Sequence, residues 1–319
     1  MNPSTATQHH GDAVTARAEQ IPVVRRHVGL LLDLVALTKP RITAMVVVTG
    51  LGGMWLAAQT GAAAGLSWRA ALIALGGLAM VVSGAGTLNM YLERDSDGLM
   101  VRTAGRPLPA RRLEARVALW FGMLLSLVAL PLLMFGAGVL PGLLAAVALF
   151  LYVFVYTPLK RVTSHALLVG AVPGAMPPLI GWTAASGHIG LPGLALFAIL
   201  YFWQLPHFIA IATFRRKEFD RAGIVVLPAE KGDVVARWHA LGYTLALVLS
   251  SLALIWLGVD GVVYRLTAVV LGVAFVVVAA AGLFPPALQS PRAERWARQL
   301  FVMSLLYLPL LIAAFMVSA

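Results

Sequence analysis

Residues 70–97 read AALIALGGLAMVVSGAGTLNMYLERDSD, an apolar run that ends directly in a group of charged residues. The first part, residues 70–91, contains no Asp, Glu, Lys or Arg, and about 20 apolar residues suffice for a helix to cross the hydrocarbon core. Ionisable groups at membrane depth are costly and are kept mainly where they pair, bind ions or meet a substrate. The stretch therefore predicts a transmembrane helix whose charged end, with Glu93, Asp95 and Asp97, is a candidate functional site.

The composition of the whole chain predicts further transmembrane helices besides this one. Of 319 residues, 60% are hydrophobic and 12% charged, and the mean hydropathy is +0.88. These values exclude an ordinary soluble domain and indicate a polytopic membrane protein. Spans of suitable length are predicted at 42–59, 70–91, 116–135, 138–157, 165–185, 191–213, 238–258, 262–283 and 299–318. We therefore expect an all-α bundle of nine transmembrane helices.

The distribution of positive charge predicts the orientation of this bundle. Of 24 Lys and Arg residues, 22 fall on the side that holds the N-terminus, and only Arg69 and Arg265 fall on the other. The positive-inside rule then predicts an N-in, C-out protein of the bacterial cytoplasmic (inner) membrane, with its charged loops and active face cytoplasmic. The positive residues behind the net charge of +11 lie mostly in these loops. There they set the topology and can contact anionic lipid head groups. The lipid bilayer is thus an expected partner, and nucleic acid is not.

Two further features bear on domain organisation. Residues 1–28 are polar and lack the apolar region of a signal peptide, so we expect a flexible tail followed by a single membrane domain over 29–319.

The fifth span contains Pro173, Pro177 and Pro178. We expect its backbone to be kinked or broken, which lipid tolerates only where the backbone faces protein or a cavity.

The charged end of the second span has the spacing of a ligand set. Asn89, Glu93 and Asp97 stand at i, i+4 and i+8, so a continuing helix places them on one face and turns Asp95 away. A carboxamide and two carboxylates suit Mg²⁺, which commonly bridges protein carboxylates to substrate phosphates. The alternative is a solvated helix end with local ion pairs such as Glu93 with Arg94.

Basic residues on the same predicted side could neutralise a phosphorylated ligand. An arginine fork matches phosphate oxygens bidentately, and the alternative role of these cations is to set topology. The candidates are Arg102, Arg106, Lys160 and Arg161, with Lys39 and Arg41 as further possibilities.

A second charged cluster follows the sixth span, about 125 residues after the first, as in an internal pseudo-repeat. Arg215 and Lys217 could contact a diphosphate, and Glu218 and Asp220 could hold a second metal ion.

Gln204 and His207 lie within the sixth span itself, next to Trp203. Polar residues inside a membrane helix predict a polar-lined cavity, here with aromatic walls to which Trp203 and Tyr156 are assigned. The alternative is an interhelical hydrogen bond.

The sequence resembles those of the UbiA superfamily of intramembrane prenyltransferases. The superfamily's first motif, Asn-x-x-x-Asp-x-x-x-Asp, is matched by Asn89, Glu93 and Asp97, with Glu in place of the first Asp. The closest resemblance is to its haem-farnesylating branch, and it extends over about residues 34–318. The segments that carry it are 37–41 (LTKPR), 102–109 (RTAGRPLP), 156–161 (YTPLKR), 173–182 (PGAMPPLIGW), 202–208 (FWQLPHF) and 222–228 (AGIVVLP).

The resemblance implies a nine-helix UbiA-type bundle that transfers a farnesyl group from farnesyl diphosphate to a vinyl group of haem B, giving haem O and diphosphate. It implies Mg²⁺ as cofactor, and a haem A synthase acting downstream is a candidate partner. His207 would ligate the haem iron or orient a propionate. The second motif departs from the family's Lys-Asp-Tyr, because it reads Lys217-Glu218-Phe219, and Val225 stands where proline is usual.

Two other functions fit parts of the pattern. The first is a quinone-type prenyltransferase with an aromatic acceptor, against which residues 202–208 and 102–109 argue. The second is a secondary transporter, suggested by the pseudo-repeat and the proline-rich span. Transporter sites lie near the bilayer midplane, whereas the acids here crowd one surface.

Overall fold

The computed structural model describes residues 23–63, 66–259, 261–284 and 291–318, and all regular structure in these ranges is helical. The helices are α1 (Val23–Leu37), α2 (Pro40–Gln59), α3 (Trp68–Asp97), α4 (Ala115–Gly136), α5 (Val139–Phe150, continued by a π-helical turn, Leu151–Tyr156), α6 (Thr157–Leu159), α7 (Ala166–Ser186), α8 (Leu191–Phe214), α9 (Arg216–Arg221), α10 (Leu227–Glu230), α11 (Asp233–Trp256), α12 (Val262–Ala281) and α13 (Pro291–Ser318).

The predicted all-α membrane architecture is confirmed. Across the described ranges, nine helical segments are long and apolar enough to cross a membrane: α2, α3, α4, α5 through to α6, α7, α8, α11, α12 and α13. Helix α1 begins at Val23 and so reaches into the predicted tail, residues 1–28. Residues 1–22 of that tail lie outside the described residues.

Helix α3 is long enough to carry its charged end beyond the hydrocarbon core. Its 30 residues correspond to about 45 Å at ~1.5 Å per residue, against a core of about 30 Å. Ser67 caps its first turn by accepting a hydrogen bond from the backbone N–H of Ala70. The helix ends at Asp97, six residues after the predicted span at 70–91, so the last turns are regular helix with a polar buried face.

Helix α7 is one uninterrupted helix although it contains Pro173, Pro177 and Pro178, so of the two predicted alternatives, a kink or a break, the break is wrong. The helix is buried by its neighbours, as expected for a proline-rich span. Its backbone touches that of α2 directly: a Cβ on Gly53 would overlap the carbonyl oxygen of Pro178, and one on Gly181 would overlap that of Gly50. Glycine at these positions therefore sets the distance between the two helices.

The end of α5 is wound as a π-helical turn, Leu151–Tyr156. Such turns are rare and often occur at functional sites, because the extra residue redirects the side chains that follow. Here Thr157 follows directly and donates a hydrogen bond to the carbonyl oxygen of Tyr152 (2.8 Å). Thr157 is buried and faces α3, so the π-turn brings the chain around Lys160 against the charged end of α3.

Candidate active site

The last turns of α3 present one buried polar face. Asn89 is 4% exposed, Glu93 6% and Asp97 1%, whereas the side chain of Asp95 is 87% exposed. The predicted shared face of Asn89, Glu93 and Asp97 is therefore present, and Asp95 points away as expected. Because buried carboxylates are costly without partners, the groups opposite them decide what this face can do.

Each buried acid faces a cation from another part of the chain. Lys160 is ion-paired with Glu93, and Arg106 Nη1 lies 2.6 Å from Asp97 Oδ2. Asn89 donates to Thr157 Oγ1 at 3.1 Å. The alternative of a local Glu93–Arg94 pair does not occur here. Arg94 instead donates to a backbone carbonyl, that of Tyr91 (2.7 Å).

Lys39 closes this cluster from the start of α2. Its Nζ donates to Asn89 Oδ1 at 3.3 Å, and its backbone has φ 50°, in the left-handed region. That conformation costs a non-glycine residue about 1–3 kcal/mol and persists only where surrounding contacts hold it. Burial, followed by the nearby charge of Arg106, lowers the pKa of Lys39 to about 8 against the opposing effect of Glu93 and Asp97. Lys39 is thus a partly buried residue whose amine is desolvated and whose backbone is strained.

An apolar cavity of about 140 Å³ begins at Lys39 and extends between α2, α3, α5 and α7. Its lining residues are Lys39, Ile42, Val46, Val81, Val82, Ala85, Gly86, Ala148, Leu149, Tyr152, Pro173, Gly174 and Pro177. Among these described residues Lys39 is the one charged side chain. Lys39 and Asn89 therefore lie at the boundary between the apolar cavity and the polar, charged cluster.

Lys39→Met is expected to lower catalytic turnover while leaving thermal stability equal or higher. Methionine fills a similar volume without the cost of desolvating an ammonium group, and that desolvation outweighs the attraction of Glu93 and Asp97 in lowering the pKa of Lys39. Turnover and thermal unfolding in detergent are measured for both proteins. Lys231→Met is the matched control. It makes the same substitution at a lysine whose side chain is 48% exposed and whose ion pair with Glu230 Oε1 is long, at 3.8 Å. Loss of stability with unchanged turnover would show that Lys39 contributes to folding and not to turnover.

The second charged cluster is built differently from the first. Arg215 Nη1 lies 3.0 Å from Glu218 Oε1, and Lys217 and Asp220 are exposed. These residues border a second cavity, of about 560 Å³, formed with the starts of α11 and α13. Arg102 connects the two clusters, because its guanidinium lies 5.7 Å from the centre of the Phe219 ring on α9.

The predicted metal ligands do not form a metal site from protein groups alone. In the part of the chain that the structure describes, no three His, Asp or Glu side chains come together as a metal-binding group. Glu218 is paired with Arg215 in the second cluster, apart from the ligands on α3. The α3 face by itself offers two carboxylates and one carboxamide.

The four residues assigned to the aromatic cavity lie in two places. Tyr156 and Gln204 pack against α7, at Gly170 and Gly174. Trp203 and His207 face α13 instead: Trp203 Nε1 donates to the carbonyl oxygen of Ser304 at 2.7 Å, and His207 Nδ1 lies 2.8 Å from Ser304 Oγ. The interhelical hydrogen bond considered for His207 is thus present.

Sequence reasoning missed three hydroxyl groups that complete the site. Thr157 bonds to Asn89, Ser96 accepts a hydrogen bond from Arg161 Nη2 at 3.2 Å, and Ser304 contacts His207. Thr157 lies within the segment 156–161 that had been noted for its lysine and arginine. Ser304 gave a weaker signal, a hydroxyl in an apolar span where small polar residues often join helices.

The profile of the UbiA prenyltransferase family matches residues 46–306. The chain belongs to the UbiA prenyltransferase family. It is 51% identical over 286 residues to the protoheme IX farnesyltransferase of Sorangium cellulosum (strain So ce56), covering 86% of this chain and 100% of that relative.

Solved structures of other proteins have the same fold. A digeranylgeranylglyceryl phosphate synthase superposes with a TM-score of 0.75 at 15% identity, covering 90% of this chain and 98% of that one. A UbiA homologue from Archaeoglobus fulgidus, bound to GPP and Mg²⁺, superposes with a TM-score of 0.56 at 16% identity, covering 89% and 99%.

Proposed function

We propose that this protein transfers the farnesyl group of farnesyl diphosphate to a vinyl group of haem B, producing haem O and diphosphate. The observation that carries the proposal is the apolar cavity that ends, at Lys39, against a buried cluster of paired acids and cations. A prenyl diphosphate has the same two parts, an apolar chain and a highly charged head. The name of the Sorangium relative, 51% identical over its full length, supports haem as the acceptor.

The diphosphate is assigned to the polar side of the boundary. Cations stabilise the charge that develops on a departing diphosphate when they are fixed in place beforehand, and ion pairs and hydrogen bonds fix several of those here. Lys39, at the boundary, would then lie beside the bond that breaks. The cations that we assign to this role are Arg102, Arg106, Lys160, Arg161, Arg215 and Lys217. Asn89, Glu93 and Asp97 would act through the metal ion that they hold.

The α3 face fits a Mg²⁺ ion in its donor chemistry. Two buried carboxylates and a carboxamide on one face are hard oxygen donors, and Mg²⁺ commonly completes such a set with waters and substrate phosphates. Asn89, Glu93 and Asp97 would hold the ion, and its charge would help neutralise the diphosphate. Glu218, which is paired with Arg215 in the second cluster, is assigned to a second metal ion. The Archaeoglobus fulgidus homologue bound to GPP and Mg²⁺ supports this assignment.

The reaction then requires a dry environment for a cationic centre. The bond between farnesyl C1 and the diphosphate oxygen breaks, and its electron pair leaves with diphosphate. The π electrons of the haem vinyl group form the new carbon–carbon bond, and water adds to the resulting haem-side cation with loss of a proton. The apolar lining of the cavity excludes water from the farnesyl side until the new bond has formed.

The acceptor is assigned to the neighbouring helix α8. Gln204 packs against Gly174, which also lines the apolar cavity, and Trp203 and His207 continue along the same helix. Gln204 and Tyr156 lie on the α7 side of this helix, near the proposed prenyl site. Trp203 and His207 face α13 and are assigned to the acceptor as an aromatic surface and a polar group.

The decisive assay incubates membranes containing the protein with farnesyl diphosphate and haem B, and separates the haems by chromatography. We expect a more hydrophobic haem with the mass of the hydroxyethylfarnesyl product. An aromatic quinone precursor is offered in parallel, and prenylation of that acceptor alone would instead identify a quinone-type enzyme. Transport of either compound without a product would favour the transporter.

Removal of divalent metal is expected to abolish turnover, with recovery on addition of Mg²⁺. A second readout is the thermal stabilisation of the purified protein by farnesyl diphosphate, since a ligand that binds only the folded state raises its unfolding temperature. We expect that stabilisation to require Mg²⁺ in the wild-type protein and to be lost in Glu93→Gln. Full stabilisation and turnover in the absence of metal would contradict the assignment.

The proposed orientation places this site on the cytoplasmic face of the inner membrane. The chain contains no cysteine, so single cysteines can be introduced without background. We expect a membrane-impermeant thiol reagent added to intact spheroplasts to label His188→Cys but not Lys231→Cys. The reverse labelling would show the opposite topology. The product would then be available to a haem A synthase in the same membrane.

A further inference from the structure

The apolar cavity has a charged end and a deep end. Lys39 lies at the charged end, where α2 begins. Helices α2 and α7 run away from this end, and α3 and α5 run towards it, so the deepest lining residue of each helix can be read from its direction. These residues are Val46 of α2, Val81 of α3, Ala148 of α5 and Pro177 of α7. The residues one turn beyond them form the floor of the cavity.

Leu78 occupies the centre of this floor. It lies one turn beyond Val81 on α3 and is 2% exposed. A Cβ on Gly50, one turn beyond Val46 on α2, would lie 2.7 Å from Leu78 Cδ2 and 3.5 Å from the carbonyl oxygen of Pro177. The Leu78 side chain therefore reaches the place where α2 meets α7, and the absence of a side chain at Gly50 leaves room for it.

The depth of the cavity above Leu78 is close to the length of a chain of three isoprene units. Gly86 marks the charged end, because a Cβ there would lie 3.4 Å from Lys39 Cδ. Leu78 is eight positions before Gly86 on α3, which places it about 12 Å deeper at ~1.5 Å per residue. A fully extended farnesyl chain measures about 14 Å with C–C bonds of ~1.5 Å, so a slightly bent one fills this depth. A fourth isoprene unit adds about 5 Å and would run into Leu78.

We propose that Leu78 is the specificity-determining residue that sets the length of the prenyl chain. The inference rests on the proposed function for the use of a prenyl diphosphate. Leu78 belongs to a packed cluster with buried residues of the neighbouring helices, among them Ala145 of α5 and Leu179 of α7. Close-packed interiors resist added volume, so the floor does not yield to a longer chain.

The test offers the purified protein an equal mixture of geranyl, farnesyl and geranylgeranyl diphosphates with haem B, and identifies the products by mass. Leu78→Ala removes Cγ, Cδ1 and Cδ2 from the floor. We expect it to raise the preference for geranylgeranyl over farnesyl by about tenfold relative to wild type, since even one methylene group in an apolar pocket is discriminated at this level. The fourth isoprene unit is larger than the space gained, so farnesyl diphosphate remains a substrate.

Gly50→Ala should shift the preference in the opposite direction. Its methyl group would lie 2.7 Å from Leu78 Cδ2, the end of a side chain that can move. Leu75 and the packed cluster occupy the space around and below it, so Leu78 is displaced towards the cavity. We expect the floor to rise and the preference to move from farnesyl towards geranyl by about tenfold. Should Leu78→Ala not fold, Leu78→Val gives a smaller shift in the same direction as Leu78→Ala.

Leu133→Ala is the matched control. Leu133 belongs to the same packed cluster as Leu78 and is 0% exposed, but it lies on α4, which does not line the cavity. The variant should lose stability and keep the wild-type preference for chain length. The same preference in Leu78→Ala and Leu133→Ala would overturn the proposal. It would indicate a chain that leaves the cavity sideways, for example past Ile42, which is 54% exposed.

A binding measurement separates this proposal from the proposed function. Thermal stabilisation by each diphosphate with Mg²⁺ reports binding to the folded protein and needs no haem. If Leu78→Ala and Gly50→Ala change the order of stabilisation but wild type forms no farnesylated haem, the proposed function alone is wrong. If wild type forms farnesylated haem and both variants keep its chain preference, the role of Leu78 alone is wrong.

Discussion

Replacing Asp97 by Asn is expected to lower the rate of prenyl transfer by about two to three orders of magnitude, the usual cost of removing one fixed electrostatic group from a reaction centre. Asn has the same shape but no negative charge. The substitution thus removes the partner of Arg106, 2.6 Å away, and one proposed Mg²⁺ ligand. Initial rates of haem O formation are measured at saturating farnesyl diphosphate and haem B.

Asp95→Asn is the matched control for this prediction. Asp95 lies on the same turn of α3, but its side chain is 87% exposed and 3.9 Å from its nearest cation, Arg94. The identical change of charge should leave the rate unchanged, because exposed pairs contribute little. Similar rates for Asp97→Asn and wild type would refute the site on α3. Equal losses in both variants would indicate a general effect of charge at this end of the helix.

Gly53→Ala is expected to destabilise the protein by about 1–3 kcal/mol or more, the typical cost of forcing extra volume into a packed core. A Cβ at Gly53 would overlap the backbone carbonyl of Pro178, and backbone cannot move aside as a flexible side chain can. Helices α2 and α7 must therefore separate. Because both line the apolar cavity, turnover should fall together with the thermal unfolding temperature in detergent.

The adjacent residue provides the control for this second prediction. Gly52 is on the same helix, and a Cβ there would meet nothing within 4 Å. Gly52→Ala should be neutral or stabilising, since alanine is favoured over glycine in helices by up to about 1 kcal/mol. If the two variants unfold at the same temperature, close packing of α2 on α7 does not limit stability.

The sequence by itself determined the architecture of the membrane domain and one half of its site. Apolar runs of spanning length predicted the nine transmembrane helices, because the bilayer requires every spanning segment to satisfy its own backbone hydrogen bonds. The spacing of Asn89, Glu93 and Asp97 predicted their shared face, because the helical period relates residues four apart. Both predictions depend on local periodicity, which a single sequence displays directly.

Only the tertiary structure decided which groups meet across helices. The ion pair of Glu93 with Lys160 joins residues 67 positions apart, and the contact of His207 with Ser304 joins residues 97 apart. Periodicity holds no information about such pairs, because they depend on which helices become neighbours and on how each is rotated. The same limit applies to the packing of α7 on α2, where the carbonyl oxygens of Pro177 and Pro178 lie against Gly50 and Gly53, a feature of the partner helix that the span's own residues do not reveal.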